Sequence, residues 1–154
     1  MNESKIIDIH SRGEYPSCAL SNFANYEFSV DGVPCGSMEG FLQSLKFKSA
    51  FKQRKICLLY GSQAKNSTKH SLAQLRWRLT KTLYWQGIPI SRTSRQYSEL
   101  LDRAYNELSK NEVFMKALSA TEGSTLVHSI GKTDPRKTVL TEDELVSRLM
   151  KIRK

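Results

Sequence analysis

The chain has 154 residues, 39% apolar and 25% charged, and 24 Lys and Arg against 15 Asp and Glu give it a formal net charge of +9. This is the composition of a soluble globular protein, long enough to bury a core as one domain over 1–154, and the positive balance points to an anionic partner: nucleic acid, a nucleotide or a phosphorylated metabolite. No stretch approaches about 18 apolar residues and no apolar h-region opens the chain, which argues against membrane insertion and secretion, while the odd and widely spaced Cys18, Cys35 and Cys57 indicate neither a disulfide framework nor a zinc site.

Residues 5–9 read as a short strand, followed by a loop from Ser11 to Ser17 punctuated by Gly13 and Pro16. Tyr26 to Val30 alternates apolar and polar, Asp31-Gly32 marks a turn, and Val33-Pro34-Cys35 continues the chain. Ser37 is a good N-cap for a helix on which Met38, Phe41, Leu42 and Leu45 share one face. Phe51 to Tyr60 predicts a second helix stopped by Gly61, and residues 62–68 a polar loop or short turn. Leu72, Leu75, Leu79 and Leu83 predict a helix with its apolar seam toward the core, broken by Gly87 and Pro89 and placing Trp85 near a helix end. Ser94 caps a helix over Tyr97 to Leu108 with Leu100, Leu101, Ala104, Tyr105 and Leu108 inward, and Asn111 starts another through Leu118. The apolar run Leu126 to Ile130 carries no clear period, and Gly131 to Lys137 is a loop. Thr141 and Glu144 form a capping box for a last helix packing through Leu145, Leu149 and Ile152. The expected class is α+β, predominantly helical, with a small antiparallel β element near the N-terminus.

Beside the apolar face of the Ser37 helix runs a second stripe. Glu39, Gln43 and Lys46 stand at i, i+4 and i+7, so a carboxylate, an amide and an amine are presented together. A solvated helix face has the same spacing, but Gly40 lowers helix propensity, which close approach by a ligand or another backbone would explain. Other motifs fall away. Gly131-Lys132-Thr133 lacks the upstream glycines of a phosphate loop, and His10, His70 and His128 have no ligand spacing. Trp77 and Trp85 sit in basic, Tyr-containing surroundings, where an indole either packs the core or walls a pocket.

Ser21-Asn22-Phe23, then Val30-Asp31-Gly32, then Ser37-x-Glu39-x-Phe41-x-Gln43-x-x-Lys46-Phe47 resembles the NADAR family, whose YbiA-like members carry these motifs at similar separations. Trp85, and Leu126-Val127-His128 followed by Gly131 and Asp134, also fit, and the similarity is to small phage-type members over most of residues 15–153. Two departures stand out: Gly40 replaces the histidine that often follows the glutamate, and residues 132–137 replace a Trp-Gly-Asp-Gly type segment. The resemblance implies a YbiA-like, mostly helical domain that hydrolyses N-glycosidic bonds of phosphorylated ribosylamines or of ADP-ribose attached to guanine. It implies catalytic roles for Glu39 and Lys46, with Asp134 the nearest second acid, and substrate contacts from Ser21, Asn22, Phe23, Gln43 and Trp85. It calls for no cofactor and no metal.

The side chains suit that chemistry. A carboxylate at Glu39 stabilises an oxocarbenium-like ribosyl centre or activates water, and its position in the first helical turn favours the ionised form. Lys46 either binds phosphate or attacks an opened ribose aldehyde, which requires a depressed pKa. The expected partner is an anionic ribosyl-phosphate or ADP-ribosyl substrate, with nucleic acid as a further partner and the cytoplasm, the host's for a phage-encoded chain, as the location. The alternative is a non-catalytic binder of ADP-ribose-type ligands or nucleic acid.

Overall fold

Asp31 and Gly32 both take positive φ, 48° and 81°, the backbone that a two-residue hairpin turn demands. They fold β2 (Phe28–Val30) back on β3 (Val33–Cys35) in antiparallel register, with Val30 opposite Val33. This is the antiparallel element expected near the N-terminus, seen in a computed structural model that describes residues 5–153. Eight helices and six short strands are present among those residues, and helix predominates: the fold is α+β.

β1 (Ile6–Asp8) lies where a strand was expected, but its partner is β6 (Thr125–Val127), the apolar run without a clear period, and the pairing is parallel. Leu126 is buried on this pair. The loop expected over residues 11–17 ends in a single turn of helix, α1 (Ser17–Leu20).

The helices with local cap signals form where the caps predict them. Ser37 opens α2 (Met38–Ser44) by accepting from the Gly40 N–H at 2.9 Å. Ser94 and Asn111 open α6 (Arg95–Leu108) and α7 (Glu112–Ser119). Thr141 and Glu144 bond each other's backbone N–H ahead of α8 (Glu142–Arg153). The five residues expected inward on α6 are all buried. Ser49 caps α3 (Ala50–Cys57), which ends three residues earlier than expected.

The middle of the chain departs from expectation. Gly61, expected to stop a helix, begins α4 (Gly61–Asn66), so most of the stretch read as a polar loop or turn is helical. On α5 (Leu72–Thr80) the leucine seam faces solvent: Leu72, Leu75 and Leu79 are 83%, 54% and 75% exposed, and Ala73 and Trp77 are buried instead. Burying one indole removes more apolar surface from water than burying a leucine, and it leaves the seam on the far side. Leu83 is buried, but on a strand. Lys81 takes left-handed φ of 54° as the C-cap of α5 and turns the chain into β4 (Thr82–Trp85), which pairs antiparallel with β5 (Ile88–Ser91). Gln86 and Gly87, at φ 52° and 84°, make the second two-residue hairpin turn. Trp85 is thus on a strand, not near a helix end.

The core gathers α2, α6, β2 and β4 around Phe41, Leu42, Leu45, Leu83, Leu100, Leu101 and Tyr105. Gly40 is placed by this packing. A Cβ there would stand 2.5 Å from the Leu59 carbonyl oxygen and 2.8 Å from that of Cys57, so the end of α3 lies directly against α2. The close approach is by backbone. All three cysteines are free.

Candidate functional site

α2 sits with its first turn against the Ser21-Asn22-Phe23 segment. The Glu39 N–H donates to the Asn22 carbonyl at 2.9 Å, and the Tyr105 hydroxyl donates to Asn22 Oδ1 at 3.2 Å. Ser21 Oγ accepts from the Phe23 N–H at 3.2 Å, which shapes the turn that presents Phe23. Ser21 and Asn22 therefore hold the segment, and Phe23 reaches the cavity described below.

The predicted stripe exists. Gln43 Nε2 donates to Glu39 Oε1 at 3.0 Å, and Gln43 Oε1 accepts from the Thr68 hydroxyl at 2.8 Å. Gln43 is thus spoken for at both ends of its amide and fixes the Glu39 rotamer. Regular helix stops at Ser44, and tighter three-residue turns carry the chain on through Lys46 and Phe47. Lys46 keeps its place on the stripe because those turns add only slightly more rotation per residue. Its ammonium donates to Gln74 Oε1 at 2.7 Å, and the Arg76 guanidinium donates to its backbone carbonyl at 3.0 Å.

Both ionisable members of the stripe are perturbed toward neutrality. Burial pushes the Glu39 carboxyl above its usual range, against the hydrogen bond from Gln43 and the positive charges of Lys46 and Lys65. The first-turn position favours the ionised form, but burial is the largest influence on Glu39 and favours the neutral one. Burial also pushes Lys46 down to about 8, helped by the charges of Arg78 and Lys132 and opposed by Glu39. Lys46 is 7% exposed.

Phe23, Gln43 and Lys46 line a cavity of about 930 Å³ whose other walls come from Arg12 in the loop before α1, from α4 and the turn after it, and from α5. Its cations are Arg12, Lys46, Lys65, Lys69 and Arg78, with His70 beside them. Glu39 is half-buried one turn before Gln43, held by its amide, and is not itself part of the lining. Thr68, Gln74 and the cations of α4 and α5 carry no motif in the sequence, and His70 is set aside there for lack of ligand spacing. The signal available was the polar content of residues 62–71, which supplies the wall once α4 forms.

Two expected members lie elsewhere. The Trp85 indole packs edge-on against Phe41, ring centroids 5.3 Å apart, and donates to Asp31 Oδ2 at 2.9 Å. Phe41 is two residues from both Glu39 and Gln43, about 200° around the helix, so Trp85 supports α2 from the opposite side. It borders a different cavity, of about 570 Å³, next to β5 and α6. Asp134 lies in the loop after β6 and its Oδ1 accepts from the Arg136 N–H at 2.9 Å, so it caps its own turn. Its neighbour Lys132 is the member of that loop whose charge is felt at Lys46. Among the described residues no cluster of three or more His, Cys, Asp and Glu could hold a metal ion, and no helix is long and apolar enough to cross a membrane.

The fold has a solved counterpart. The NMR structure of the E. coli protein YbiA superposes with a TM-score of 0.55 over 99% of this chain and 85% of that one, at 18% identity. That likeness establishes a YbiA-like fold. In sequence, the chain is 41% identical over 150 residues to an uncharacterized 17.1 kDa protein from the Gp30-rIII intergenic region of Enterobacteria phage T4, covering 96% of each. With residues 14–154 also matching the model for bacteriophage protein GP30.3, a match that spans α1 to α8 and the whole Glu39–Lys46 stripe, the chain belongs to the GP30.3 family of phage proteins.

Proposed function

We propose that this protein hydrolyses the N-glycosidic bond of a phosphorylated ribosyl or ADP-ribosyl compound, with Lys46 as the nucleophile and Glu39 as the proton carrier. One observation carries the reading. A lysine pushed down to about 8 lines a cationic cavity, and a glutamate pushed above its usual range is hydrogen-bonded to Gln43, which lines the same cavity. An amine and a carboxyl both shifted toward their neutral forms suit amine catalysis and proton transfer. The NADAR-like motif at residues 21–47 and the YbiA-like fold are in keeping with it.

The chemistry balances without an added reactant. Opening the ribosyl ring breaks the C1′–O4′ bond and leaves C1′ doubly bonded to the departing nitrogen, with the proton placed on O4′. The neutral Lys46 amine adds to C1′, and the C1′–N bond breaks as the leaving amine takes a proton from the Glu39 carboxyl. Water then adds to the resulting C1′=Nζ bond with Glu39 as base, and collapse frees the sugar aldehyde and Lys46. The cavity cations bind the phosphates. Asn22 and Gln43 hold the Glu39 turn and rotamer.

The test is incubation with ADP-ribosylated guanine nucleotides and ribosylamine phosphates, with released ribose species read by mass spectrometry. Borohydride should trap a sugar adduct on Lys46 in the native protein and none in Lys46→Arg. Absence of release from every substrate, with binding retained in Glu39→Ala, would leave the non-catalytic binder as the function.

A further inference from the structure

We propose that a nucleic acid strand crosses the site cavity, passes over the first turn of α5 and continues into the groove between α3 and α5, where Lys48 and Lys52 hold its phosphates. The strand as substrate rests on the glycosidase reading, but the strand-binding surface does not.

Charge is segregated along this chain. From residue 40 to residue 98 there is no Asp or Glu, while twelve Lys and Arg fall in the same stretch. The stretch carries more positive charge than the whole protein does, so the remainder is net negative. Of those twelve, only Arg92 and Arg95 have an ion-pair partner among the described residues. Seven of the other ten line the site cavity or one beside it, a face whose like charges repel and where a polyanion relieves the repulsion while releasing its own counterions.

The face is concave. Beside the site cavity lies a second, of about 650 Å³, bordered by Phe47, Lys48 and Lys52 on one side and by Arg76 on the other. The two cavities share Ser71 and Leu72, the cap and first residue of α5. A strand leaving Lys46 over these two residues would reach Lys52, with free N–H groups and the positive end of the α5 dipole at the midpoint of its path. Arg76 Nε is buried at this path without a hydrogen-bond partner. Leu72 and Leu75 stand exposed along it, apolar surfaces of the kind that bases cover. A membrane surface would also suit leucines beside cations, but a flat bilayer does not fill two joined clefts, and a strand does.

The test uses fluorescence anisotropy with a labelled single-stranded DNA of about 12 nucleotides, the scale of one strand-binding site. Lys48→Glu/Lys52→Glu should weaken binding about tenfold or more and reduce the slope of log affinity against log salt by about 1.4, two phosphate contacts' worth. Lys116→Glu/Lys151→Glu, with the same change in net charge on α7 and α8, should alter affinity less than about twofold. Equal losses in the two variants would overturn the proposal, as would preference of the native protein for phosphatidylserine vesicles over DNA. Turnover separates the two readings. Loss of DNA binding in Lys48→Glu/Lys52→Glu, in a protein that cleaves no ribosyl substrate, would sink the glycosidase and leave the strand path standing.

Discussion

The Lys46 ammonium rests on the side-chain carbonyl of Gln74 at 2.7 Å, and no carboxylate among the described residues lies within ion-pair distance of it. A neutral acceptor satisfies one proton without holding the charge. That is why burial can push Lys46 down to about 8.

If the neutral amine reacts, kcat/KM should rise with pH and level off above about 8. Gln74→Glu sets a carboxylate where the carbonyl stands, which should move that limb up by about 1–2 pH units. The fold should respond as well. Lys46 binds its proton less tightly folded than unfolded, so stability should increase as pH rises from about 8 toward 10.5. Thermal unfolding of Lys46→Met across the same range should lack that increase.

Glu39→Gln keeps the shape and the hydrogen bond to Gln43 but removes the titrating proton. Turnover should fall about 10²-fold or more, the scale for one acid–base group. Because the folded pKa lies above the unfolded one, the contribution of Glu39 to stability is full below the unfolded value and is lost as pH rises through the folded value. Glu39→Gln should therefore be at least as stable as the native protein at pH 7, by calorimetry. A clear loss of stability would mean that the carboxylate is a structural partner.

Gly40→Ala separates helix propensity from packing. Propensity alone predicts stabilisation by about 1 kcal/mol. The contacts predict the opposite, since a methyl group would press on the Leu59 and Cys57 carbonyls at 2.5 and 2.8 Å. A loss of about 2–3 kcal/mol in denaturant unfolding is expected, the usual cost of overpacking. A gain would place the close approach elsewhere.

Asp31 joins the first hairpin to the second and to α6. Its carboxylate accepts from Trp85 Nε1 and from two Arg103 nitrogens at 3.1 Å. Burial works against the charge, but the bonds from Arg103 and Trp85 outweigh it and hold the carboxyl below its usual value. Its stabilisation is therefore present above the unfolded pKa and is lost as pH falls through the folded one. Asp31→Asn, which tolerates the positive φ, should cost about 1 kcal/mol at neutral pH, discounted for the exposure of the pair. It should also flatten the acid limb of the stability profile followed by Trp fluorescence.

The features readable in the sequence are those whose physics spans a few residues. Ser37, Ser94, Asn111 and Thr141 each bond a backbone N–H two or three positions on, so each start was visible in the order of residues. Asp31-Gly32 made its turn for the same local reason. The Glu39–Gln43–Lys46 stripe follows from helical rotation, and the acid-free run from 40 to 98 is plain in the sequence.

Partner choice was not readable, because it is settled between segments far apart in the chain. Periodicity marked a leucine seam on α5 but could not say that the core would take Trp77 instead. Ile7 pairs with Leu126, a contact no local pattern encodes. Trp85 left the site because Phe41 and Asp31 hold it on the other side of α2. The sequence by itself determined which chemical groups share one stripe along α2 and the turns that follow it, and that the middle of the chain is positive. Only the tertiary structure decided that α4 and α5 close over Lys46, because desolvation, which perturbs Lys46 and Glu39, exists only where separate segments exclude water together.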